Sequence, residues 1–93
     1  MDTNFQLCKK LLDFHPNKLG ILSAAEVEKI EETLCLNEMD VLQLRNLRDF
    51  AVMYYSGHSE NAEESNEKTR FMDIMSGVVS VIDCHVVKQG AEV

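Results

Sequence analysis

Residues 78–87 read Val-Val-Ser-Val-Ile-Asp-Cys-His-Val-Val, and whether they form a strand or a helix decides the fold. Their β-branched content suits a strand, but the spacing does not, because neither alternate face of such a strand would be uniformly polar. Wound as a helix, Phe71, Ile74, Val78, Val81 and His85 fall on one row, and Met72, Met75, Val79, Ile82 and Val86 on the next. Asp73, Ser76, Ser80 and Asp83 then gather on the far side. The period predicts a helix over about 66–88, ended by Gly90. Ser76, Gly77, Ser80 and Cys84 lay small side chains along it, mostly four apart, where another helix can come close.

Upstream, Val41, Leu44, Leu47, Ala51 and Tyr54 follow one helical face, and Leu42, Phe50, Val52, Met53 and Tyr55 widen it past a single stripe. Asn37 and Asp40 offer N-terminal capping, with Leu36 and Val41 as a hydrophobic staple. This predicts a central helix over about 38–56 that stops at Gly57. Between it and the last helix lies Ser-Glu-Asn-Ala-Glu-Glu-Ser-Asn-Glu, residues 59–67, whose composition predicts a flexible acidic joint over about 57–66.

Ser23 and Glu26 form a capping box, with Leu22 and Val27 as its staple, and predict a helix over about 24–35 whose buried edge is Val27, Ile30 and Leu34. Thr3 and Gln6 predict a first helix over about 4–14, with Phe5, Cys8, Leu11, Leu12 and His15 turned inward. Pro16 and Gly20 end it. The expected fold is all-α: a small single-domain four-helix bundle in which the third and fourth helices supply most of the core and the first two form a hairpin over them. Ninety-three residues suit one domain, and an apolar share of 45% is that of an ordinary folded chain.

Charge is unevenly placed. Residues 24–67 hold eleven of the sixteen acidic residues against three basic ones, while the chain as a whole carries −7. Lys9-Lys10 and Arg45 with Arg48 are too thin a basic footprint for phosphate, so neither nucleic acid nor an anionic membrane is an expected direct partner. No apolar run approaches the ~20 residues of a bilayer span, and the N-terminus lacks the order of a signal peptide, so a cytoplasmic protein is expected. Cys8, Cys35 and Cys84, odd in number and widely spaced, suit reduced thiols.

No glycine-rich phosphate loop and no spacing of metal ligands such as CxxC or HExxH occurs. Cys84 and His85 are neighbours that diverge by about 100° on a helix, which denies the thiol its base. An enzyme is not expected, and neither is a cofactor. The remote alternative is a metal or redox protein built on Cys8, His15, Cys84 and His85.

Function is therefore expected from surfaces. Glu26, Glu28, Glu31 and Glu32 crowd one helix with only Lys29 to offset them. Tyr54, Tyr55 and His58 lie beside Glu60, Glu63 and Glu64, and tyrosines next to charge suit an interaction centre. These ten residues are the expected partner-binding set of a non-enzymatic module, an inhibitor or regulator that docks on a basic, nucleic-acid-handling protein in the manner of bacterial or phage accessory proteins. The alternative is a self-assembling homodimer whose acid only keeps it soluble.

In size, acidity and the Tyr54-Tyr55 pair the chain is similar to bacterial nuclease-toxin immunity proteins. Those carry the pair in a short third helix followed by a proline. Here it closes a long helix and Ser56-Gly57 follow, so no site residue carries over and no family is assigned.

Overall fold

A computed structural model describes residues 3–17 and 21–90. Along the chain stand α1 (Thr3–Lys9), α2 (Ala24–Leu34), a 3₁₀ turn (Leu36–Glu38), α3 (Val41–Asn61) and α4 (Ser65–Lys88), with no strand among the described residues. The fold is all-α, a small four-helix bundle. Residues 78–87 are helical throughout, and Gly90, at φ 82°, closes the last turn as expected.

The pairs Arg48–Asp83, Ser56–Met75 and Ser59–Lys68 step in opposite directions along α3 and α4, so the two helices run antiparallel. Between them lie Leu44, Leu47, Ala51 and Tyr55 of α3 and Ile74, Val78, Ile82 and Val86 of α4, all essentially without solvent contact. The first helix lies on α3 and the second on α4. Helix α2 and the residues before it pack on α4 at Gly77, where a Cβ would lie at ordinary contact distance from Leu22 (3.5 Å) and Ile30 (3.7 Å).

Helix α1 stops at Lys9, short of the expected 14. Residues 10–14 continue in tight i→i−3 bonds, from Lys10 N–H to Leu7 and from Phe14 N–H to Leu11. An α-helix would leave the Leu12 carbonyl facing Pro16, which has no N–H. Arg70 takes the role instead, donating from Nη1 to the carbonyls of Leu12 (2.5 Å) and Phe14 (3.0 Å). Leu7 and Phe14 turn inward, while Phe5 and His15, expected inside, lie exposed. Thr3 is the first helical residue rather than a cap, and the Gly20 turn falls outside the described residues.

The Ser23–Glu26 capping box forms as expected, and α2 ends one residue early because Cys35 adopts a left-handed conformation (φ 56°, ψ 40°). Asn37 then falls inside the 3₁₀ turn, and Asp40 alone caps α3, its carboxylate accepting from Gln43 N–H while Gln43 Oε1 accepts from Asp40 N–H. That moves the start of α3 from 38 to 41.

Gly57 does not stop α3. Both helix ends are fastened instead: Ser59, buried, donates to the Lys68 carbonyl, and Lys68 Nζ donates to the carbonyls of Ser59 and Glu60. A cation on the last carbonyls suits a helix C-terminus. The expected joint over 57–66 therefore reduces to Ala62, Glu63 and Glu64, since 57–61 prolong α3 and Ser65 opens α4.

Candidate functional site

The acidic residues of α2 do two different jobs. Glu26 accepts backbone N–H bonds from Ser23 (3.0 Å) and Asn17 (2.7 Å), which hold its carboxyl below the ordinary carboxylate range. Glu31 turns toward α4, where its Oε2 lies 2.5 Å from Nε2 of the buried His85. Both carboxylates are held by contacts within the fold. Glu28 and Glu32 stand exposed, and no described residue pairs with them.

Glu60, Glu63 and Glu64 are also exposed, but at the other end of the hairpin. From Glu64 to His85, where α2 is fastened, the rise of α4 amounts to about 30 Å. The acidic residues grouped by sequence thus divide into two separate surfaces.

Tyr55 is fully buried, and its hydroxyl donates to the Cys8 carbonyl at 2.7 Å. Burial, with Cys8 beside it, pushes that phenol well above its ordinary pKa. It is a core residue that ties α3 to α1. Tyr54 is half-buried, stacked on Phe50 at 5.6 Å and edge-on to Phe5 at 5.6 Å and to His58 at 4.7 Å. His58 in turn lies 5.4 Å from Phe71. Phe50, Tyr54 and His58 recur every four residues, a legible sign of one helical edge. Phe5 and Phe71 join them from other helices, which no local pattern reveals.

Cys8 is buried against Tyr55, His15 and Cys84 are exposed, and His85 is paired with Glu31, so the four do not converge. Among the described residues no three His, Cys, Asp or Glu side chains are grouped as metal ligands. A hollow of about 450 Å³ beside His15, Arg70 and Asp73 is walled by an arginine already committed to Glu67 and to two carbonyls.

Hollows along α4 were not among the expected sites. One, about 220 Å³, is lined by Asp73, Gly77 and Ser80 of α4 beside Pro16 and Leu22. Another, about 240 Å³, lies between α2 and α4, sharing Leu22 and Ser80 and adding Val27, Val81 and Cys84. A third, about 380 Å³, is lined by Asp83, Cys84, Val87 and Lys88 of α4 alone. Their one legible trace was the run of small residues on the last helix. The chain matches no protein-family model, no curated protein and no solved structure, and function has to be read from these surfaces.

Proposed function

We propose that this protein is a non-enzymatic binding module, an inhibitor or regulator that docks on a basic surface of another protein through the outer face of α2. The observation that supports this reading is the division of labour on that helix. Glu26 and Glu31 are committed to the fold, yet Glu28 and Glu32 remain one turn apart, solvent-facing and unpaired among the described residues. Like charges at this spacing cost about 0.2–0.5 kcal/mol, and a basic partner relieves that repulsion on contact. A surface of this sign steers association with a basic patch, including one built to hold nucleic-acid phosphate.

Self-assembly finds less support. Leu42 and Met53 are the most exposed apolar residues of α3, at 68% and 71%, but Asn46 and Asp49 share their edge of the helix, and no continuous apolar patch results.

The test is affinity capture from source-cell lysate treated with nuclease, using the parent chain and the double variant Glu28→Lys, Glu32→Lys, at about 0.1 M and about 0.5 M salt. The expected result is a specific partner held at low salt, released at high salt and absent with the variant. A partner held equally by both chains removes the α2 face from the function.

A further inference from the structure

We infer that the face of the α3–α4 pair turned away from α1 and α2 seats a second copy of this chain. The pairing is an addition to the docking through α2 and leaves that helix outside the contact.

Rungs across the seam define the face. Arg48 Nε donates to Asp83 at 2.8 Å, and two turns along α3 Ser56 Oγ donates to Met75 Sδ at 3.4 Å. Val52 lies one turn from both Arg48 and Ser56, and Val79 one turn from both Asp83 and Met75, so the two valines form the rung between. The first two helices attach elsewhere. Tyr54, which meets Phe5 of α1, stands about 200° round α3 from Val52. Gly77 and Val81, which face the α2 side, stand as far round α4 from Val79.

The strip is apolar and open. Val52 is 37% exposed and Met72, one turn beyond Met75, is 40% exposed, with Val79 and Met75 half-buried beside them. Aliphatic and methionine side chains flanked by an arginine suit the centre of an interface.

Charge selects the occupant. The chain carries −7, which keeps copies apart wherever that excess is displayed, but this face is balanced. A hollow of about 290 Å³ at its end is lined by Arg45, Arg48, Asp49 and Asp83 with Val86, two charges of each sign. Arg48 gives only Nε to Asp83. Among the described residues its two Nη groups donate to nothing, and Oδ2 of Asp83 accepts nothing. A twofold axis parallel to the helices sets α3 of one copy on α4 of the other and lays each rung on its own reversed image. Val52 then meets Val79 of the second copy, and the unused Nη groups of Arg48 face the second copy's Asp83, twice over. The four long helices make an antiparallel bundle. With about three turns of each helix in contact, the area is small, and the association belongs at the weak, micromolar end.

The test is sedimentation equilibrium of the full chain from about 5 to about 500 µM. The parent is expected to pass from monomer to dimer over this range. Val52→Lys, which sets a charge at the centre from an exposed position, is expected to raise the dissociation constant at least about tenfold, with helix content and melting temperature at low concentration unchanged. Arg48→Glu makes the charged rung wholly acidic and Asp83→Arg makes it wholly basic. Each alone is expected to stay monomeric, and an equimolar mixture to associate about as tightly as the parent, since an exposed bridge contributes little to the fold itself. A parent still monomeric at about 500 µM overturns the inference, as does a dimer indifferent to Val52→Lys or a mixture of the two reversed variants that fails to associate. The Glu28→Lys, Glu32→Lys variant is expected to dimerise as the parent does, even where it loses its captured partner. A dimer lost with that variant places the contact on α2 and overturns this one.

Discussion

Tyr55 and Cys8, 47 positions apart, are joined by a 2.7 Å hydrogen bond from the phenol to a backbone carbonyl in the core. In Tyr55→Phe the packing persists and the carbonyl keeps the Leu11 N–H, 3.2 Å away, so the loss of the phenol's bond costs about 0.5–1.5 kcal/mol. Urea unfolding monitored by circular dichroism should show the midpoint fall without a change in slope. The same phenol sets an alkaline limit. Its folded pKa lies above its ordinary value of 10.0, so its contribution is complete below that value and is lost as pH rises beyond it. Tyr55→Phe should remove that part of the alkaline loss.

Two glutamates three residues apart on α2 should behave oppositely. Glu31→Ala leaves the imidazole of His85, with a side chain only 8% exposed, without its partner, and should cost about 1–3 kcal/mol. Glu28→Ala removes an exposed charge one turn from Glu32 and should lie within about 0.5 kcal/mol of the parent. Thermal melts of the two variants at one pH decide the matter; equal effects would mean that the Glu31–His85 contact contributes nothing.

Arg70 holds the end of the first helical segment through Leu12 and Phe14 and is itself held by both carboxylate oxygens of Glu67. A lysine has no planar fork with which to serve carboxylate and carbonyls together. Arg70→Lys should therefore lose most of what Arg70→Ala loses, about 2–3 kcal/mol. Amide exchange should accelerate first at residues 7–14, before the α3–α4 core responds.

Acid should act on the capping box. Backbone N–H groups of Ser23 and Asn17 keep the Glu26 carboxyl below 4.5 when folded. The stability it supplies is therefore present above that pH and lost as pH falls through the lowered value. Glu26→Gln should flatten this part of the acid profile below pH 4.5. An unchanged profile would show that the cap does not titrate with folding.

Gly57 separates two accounts of α3. If the glycine ended the helix in a left-handed turn, alanine there would be strained. In the continuous helix a Cβ at Gly57 meets nothing within 4 Å, so Gly57→Ala should raise stability by about 0.5–1 kcal/mol. A calorimetric melt reads the sign directly.

Local chemistry was legible where it was self-contained. Ser23 with Glu26, and the winding of residues 78–87, need only neighbours within a turn, and both were readable before any tertiary contact was known. The errors arose where a distant group decided. Lys68 carries α3 past Gly57, and Arg70 lets the first segment tighten ahead of Pro16. Among the sites, the helical row was read as ending in Tyr54, but the buried row is Leu44, Leu47, Ala51 and Tyr55. One residue is about 100° on a helix, enough to exchange a core side chain for a half-exposed one. Nothing near Glu31 in sequence signals His85, 54 positions away. The hollow between α2 and α4 is half visible, since Ser80 and Cys84 stand out as small, but its other wall comes from Val27 of α2 and from Leu22 just before that helix.

Helix α1 has only seven residues, well under the ~12–15 at which an isolated helix becomes marginal in water. Detached from α3, the segment has too few internal bonds to stay wound, so undocking and melting are a single cooperative event. The amides of Leu7 and Cys8 therefore report on the grip of Tyr55 and Arg70 rather than on fraying of their own helix, and a protease cutting near residue 10 would measure the same opening equilibrium.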